Sequence, residues 1–180
     1  MFKKQDELVY KVKASPFFWR QKAEELKFAA EILWPHAEER LNKTIESAEE
    51  NSEFDVNSLE PDIFSIFLSL LGFSTEALFK GVIIRDNPFY VSNGKLCSKL
   101  TTHDLLKLAK RAKLSLSQHE KIFCKQAYKA MIIESRYPIP KDNSETDYSM
   151  EIGGHCKDVF TGLYKRLYPT LGLFNKTKKS

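Results

Sequence analysis

Glu76 and Lys80 stand four residues apart in Thr75-Glu76-Ala77-Leu78-Phe79-Lys80-Gly81, in the acid-before-base order that places both on one side of a helix. The other side of that segment is apolar, and charges on a mostly buried helix need partners. His103 adjoins Asp104, and a neutral imidazole beside a carboxylate works as a base or a ligand. Adjacent helical residues diverge by roughly 100°, so these two do not share a face, and His103 reads as a helix-start residue. Arg136-Tyr137-Pro138 leaves a helix in extended form; its guanidinium can pair with Glu76 or Asp104, or be offered to a phosphate. Glu76, Lys80, His103, Asp104, Arg136 and Tyr137 are the candidate ligand-binding cluster, and His103 and Arg136 are the two candidates for catalysis. Lys107, Lys110 and Arg111 fall at i, i+3 and i+4 with Lys113 close behind. Such a face is an ordinary solvated surface, or a track for a phosphate backbone, which makes these four the candidate nucleic-acid residues.

The residue types exclude much. His36 with Glu39 and His119 with Glu120 lack a third partner at usable spacing, and no His-Glu-x-x-His occurs, so no metal is assigned. Neither a Gly-x-Ser-x-Gly turn nor a glycine-rich phosphate loop is present, and no cofactor is expected. Cys97, Cys124 and Cys156 are odd in number and widely spaced. They imply no disulfide framework or zinc site, and nothing marks one as an activated thiolate.

The elements that must position these groups are helical. Leu8, Tyr10 and Val12 alternate among lysines, which predicts an extended arm or short strand over residues 1–14. Ser15-Pro16 then starts a helix. Trp19, Ala23, Leu26, Ala30, Leu33 and Trp34 form its stripe, with a break or kink expected near Trp34 because of Pro35 and resumption from His36 to about Ala48. Residues 49–61 read as an acidic loop. From 62 to 85 the chain is apolar nearly all round, the pattern of a central helix, with Gly72 marking a close helix crossing or a break. Ser92-Asn93-Gly94 is a turn. Thr101 or Thr102 is expected to cap a helix ending near Ala112, with Asp104 in its first turn. A capping box at Ser117 and Glu120 opens a helix from Gln118 to about Ser135. Residues 136–140 cross in extended form, 141–148 are loop, and a last helix spans about 154–168 before a basic tail, 169–180. The fold class is therefore all-α, a single helical domain of about five helices in an antiparallel bundle, with its core over about 16–140.

At 180 residues one domain is expected. The 28 Lys+Arg against 24 Asp+Glu leave +4, too little by itself to argue for nucleic acid. Acid gathers between Glu46 and Asp62, base between Lys95 and Lys113. Charge interrupts the first residues, so no signal peptide is expected, and the apolar run 63–71 is roughly half a bilayer span. A cytoplasmic location without membrane attachment is the expectation.

The Glu76-x-x-x-Lys80 helix followed by Thr102-His103-Asp104-Leu105-Leu106-Lys107-Leu108 resembles the HEPN family of helical domains, as do the Trp19 and Lys22-Ala23-Glu24 stretch and the Arg136-Tyr137-Pro138 ending. The likeness covers residues 16–140. It implies an antiparallel bundle that often pairs with a second copy, in RNA-targeting, phage-defence or toxin–antitoxin systems, sometimes beside a nucleotidyltransferase. Catalytic members are metal-independent endoribonucleases with a histidine four to six residues after an arginine. At those offsets from Arg136 stand Pro140, Lys141 and Asp142, and the next histidine is His155. The resemblance thus implies a non-catalytic module, a homodimer that binds RNA, a nucleotide-like anion or a partner protein. The alternatives are an endoribonuclease using His103 or His155, and a purely structural interaction protein.

Overall fold

Every residue from Ser74 to Ile84 is buried, on all sides of one helix. A helix that presents no wet face has to be surrounded, and the rest of the chain is laid around it. The computed structural model describes residues 2–49, 63–134 and 155–172. Six α-helices make up nearly all of it: α1 (Phe2–Lys13), α2 (Pro16–Glu49), α3 (Ile63–Asp86), α4 (Leu105–Arg111), α5 (Gln118–Lys129) and α6 (Cys156–Leu167). The fold is all-α, as the periodicity requires. α3 is the central helix, with α2, α4, α5 and α6 all packed on it.

α2 makes the most extensive contact with α3. Ala23, Ala30 and Ala37, seven residues apart, are each fully buried, and small side chains at that spacing let two backbones run close together. Ser74 Oγ donates to the Ala23 carbonyl at 2.7 Å, tying the helices at mid-length. Gly72 marks the second crossing. A Cβ there would lie 2.5 Å from Met131 Sδ and 3.2 Å from Ala127 Cβ, so the glycine is a close approach within an unbroken helix. Residues Ala130–Glu134 continue α5 as a π-helical turn against α3.

Three expectations are corrected. The first residues form α1 instead of an extended arm. A strand needs a neighbour for its backbone groups, whereas a helix satisfies its own, and Glu7 and Lys11 pair at 3.0 Å across one turn. Pro35 does not end the second helix, since α2 runs through it to Glu49. Proline costs about 3 kcal/mol in a helix interior; packing on both sides of it, with Trp34 against Phe67 at 4.9 Å and Ala37 buried, offsets that loss. The cap of α4 is Asp104, not Thr101 or Thr102.

Other expectations match. Asn93 and Gly94, at φ 52° and 66°, turn a two-residue hairpin, β1 (Val91–Ser92) with β2 (Lys95–Leu96), in the way two positive φ angles allow. Ser117 and Glu120 form the capping box of α5. α6 spans Cys156–Leu167, and a 3₁₀ turn, Tyr168–Leu171, follows where a tail was expected. The acidic loop, the 136–140 crossing, the 141–148 loop and the end of the basic tail lie outside the described residues. Among the described residues one helix, Ile63–Asp86, is long and apolar enough to cross a membrane, and 83% of its apolar window is buried within the fold.

Candidate functional site

Glu76 and Lys80 lie on the buried length of α3, and their side chains are only 10% and 6% exposed. One helical turn brings Lys80 Nζ to 2.5 Å from Glu76 Oε1. Charges taken out of water need this kind of partner. The second carboxylate oxygen, Oε2, meets His103 Nδ1 at 2.9 Å. An ionised carboxylate only accepts, so Nδ1 carries the hydrogen in this contact. The imidazole is 44% exposed and sits edge-on to Phe73 on α3. Lys80 Nζ also lies 5.8 Å from the centre of the Trp19 ring on α2. The three groups thus run from core to surface as ammonium, carboxylate and imidazole, an order that fixes the ring through Nδ1.

Asp104 stands apart from this line. Its carboxylate accepts from the Lys107 backbone N–H at 2.9 Å, capping α4, and meets Lys107 Nζ at 3.0 Å. Partial burial works against its charge, but the bonds from Lys107 and the neighbouring amide prevail and hold the carboxyl below its ordinary value. His103 precedes the cap of α4 and lies outside the helix, and it and Asp104 meet different partners, so Asp104 leaves the proposed cluster. Arg136 and Tyr137 lie outside the described residues.

The basic residues are all exposed: Lys95, Lys99, Lys107, Lys110, Arg111 and Lys113. Arg111 Nη1 donates to the Lys99 carbonyl, which joins the 3₁₀ turn Ser98–Leu100 to the end of α4. Leu105, Leu108 and Ala109 bury the opposite side of the helix. Lys107 is neutralised by Asp104, but Lys95, Lys99, Lys110, Arg111 and Lys113 have no carboxylate partner among the described residues. Lys113 has φ 53°, a left-handed conformation in which glycine is favoured. There it closes α4: Lys113 N–H donates to the Lys110 carbonyl at 3.2 Å and Leu114 N–H to Ala109 at 3.0 Å. Lys95 and Lys99 were not among the candidate site residues. Their proximity in sequence to the α4 lysines was the available signal, and the Arg111 bond makes it spatial.

No group of three His, Cys, Asp or Glu side chains that could hold a metal occurs among the described residues. Cys124 and Cys156 are buried, and desolvation pushes each thiol up to about 12, so neither is a ready nucleophile. Compared with family models, with curated proteins and with solved structures, the chain finds no match.

Proposed function

We propose that the chain is a non-catalytic, HEPN-like helical module that binds single-stranded RNA along the surface from the hairpin to the end of α4. The observation that carries this reading is the set of five exposed cations, Lys95, Lys99, Lys110, Arg111 and Lys113, unmatched by acid among the described residues. The Arg111–Lys99 bond brings the turn carrying Lys99 against the end of α4, and these cations are available to a phosphate backbone. His103 lies between them in sequence, and its half-exposed ring offers Nε2 as an acceptor for a base-edge amino group. Lys80 and Glu76 are too buried to touch a ligand directly, and their part is to hold the ring.

Fluorescence anisotropy with a labelled single-stranded RNA tests this. Affinity should fall steeply as salt rises, and Lys110→Ala with Lys99→Ala should weaken it further. Binding that ignores salt would remove the proposal. Pairing with a second copy belongs to the same reading, and sedimentation equilibrium checks it.

A metal-independent endoribonuclease is favoured by one observation, the carboxylate-held imidazole of His103. Its Nε2 is placed to accept a proton from a 2′-hydroxyl. Incubating the protein with single-stranded RNA and EDTA decides it. Intact RNA after long incubation excludes cleavage of those substrates, and cleavage lost in His103→Ala supports it.

A further inference from the structure

A cavity of about 620 Å³ lies where the joint between α1 and α2 meets the end of α3, the turn before the hairpin and the last 3₁₀ turn. Its volume is that of a small-molecule site. Phe17, Ile84 and Val91 are among its apolar walls, and Phe89, 88% exposed, lies at its lip. Among the described residues that line it, Lys11 and Arg85 are the charged ones and none is a carboxylate; Lys11 pairs with Glu7 at 3.0 Å. Arg85 spends its Nε on Asp86 at 2.7 Å and donates Nη1 to the Thr170 carbonyl at 3.4 Å. Nη2 has no partner among the described residues, and the guanidinium is held in place for one.

We propose that this cavity binds a small amphipathic carboxylate, its apolar body against Phe17, Ile84 and Val91 and its anionic head between Arg85 and Lys11. An apolar chamber whose described edge carries two cations, one of them with an Nη2 that no described residue takes up, suits that combination. A neutral ligand of the same shape would leave the Arg85 donor unanswered, and a small hydrophilic anion would leave the walls wet. The inference is independent of RNA binding, since neither Lys11 nor Arg85 belongs to the α4 surface.

Isothermal titration of the full chain with monomeric decanoate, beside decanol, is the test. Saturable one-to-one binding of decanoate, about tenfold tighter than decanol, is expected. Arg85→Gln with Lys11→Gln should erase that preference while decanol affinity stays. Gly172 lines the cavity, and a Cβ there meets only ordinary contacts, the nearest at 3.5 Å; Gly172→Phe should fill the space and abolish binding of both, with melting temperature as the folding control. Equal affinity for the alcohol, no saturable heat, or binding unchanged in Gly172→Phe would each overturn the inference. So would association with phosphatidylserine vesicles in the absence of any heat from monomeric decanoate.

Discussion

Lys80 neutralises a carboxylate that cannot reach bulk water, so its loss should be felt in stability before anything else. Breaking one side of a buried ion pair costs about 3–5 kcal/mol. Because His103 remains at 2.9 Å from Glu76, Lys80→Met should fall near the lower end, and Glu76→Leu/Lys80→Met should regain most of the loss; urea unfolding measures both. A double variant as unstable as the single one would mean that the pair is not acting as a unit. His103 is half-exposed itself but donates to that buried carboxylate, so His103→Ala should cost about 1–3 kcal/mol. A binding or cleavage defect in His103→Ala measured well below its melting transition therefore reports function.

Asp104 yields a pH prediction. Its folded carboxyl is held below the ordinary 3.8, against the opposing effect of partial burial, by hydrogen bonds from Lys107. A carboxyl lowered in the folded state contributes stability that is complete above its unfolded value and is lost as pH falls through its folded one. Thermal melts between about pH 5 and pH 2 should thus show an acid loss that Asp104→Asn reduces, because asparagine still caps the helix and does not titrate. Identical acid profiles for the two proteins would contradict the assignment.

At the scale of elements, two helical glycines are expected to behave oppositely. Gly72 faces Met131 and Ala127 across a tight crossing, whereas Gly162 on α6 has nothing within 4 Å of its missing Cβ. Alanine gains up to about 1 kcal/mol over glycine in a helix interior, while overpacking a core costs about 1–3 kcal/mol. Gly162→Ala should raise stability by about 1 kcal/mol, and Gly72→Ala should lower it by a similar or larger amount, as chemical denaturation will record. The end of α4 presents a related conflict. Lys113 adopts a left-handed conformation that costs a non-glycine residue about 1 kcal/mol, and it lies on the surface proposed to meet RNA. Lys113→Gly should therefore stabilise the fold by about that amount and weaken RNA binding. Stabilisation without any loss of affinity would take Lys113 out of the interface.

For the whole molecule, the distribution of charge outweighs its sum. A formal +4 is small for 180 residues, yet five cations without a carboxylate partner among the described residues fall between residues 95 and 113. If all five meet phosphates, log affinity for single-stranded RNA should fall with log salt at a slope of about −3.5, and Lys110→Ala should flatten it by about 0.7. Titrations at several salt concentrations give both values. A slope near zero would show that the surface is merely solvated.

The sequence by itself determined the all-α class, the central helix, the capping box at Ser117 and Glu120, and a turn at Ser92-Asn93-Gly94, because each is written in periodicity or in a local backbone preference. It also paired Glu76 with Lys80, one turn apart on the same helix. Local signals misled where packing outweighed them, as at Pro35, which sits in an uninterrupted α2, and in residues 2–13, whose alternation suggested an extended arm. Only the tertiary structure decided that His103, twenty-seven positions from Glu76, completes that pair, that Asp104 turns away to cap α4, and that Lys99 is tied to Arg111. The reason is physical. A helix sets which of its own residues share a face, but the approach of two distant segments depends on how side-chain volumes such as Ala23, Gly72 and Met131 fit together, and no short window of sequence contains that fit.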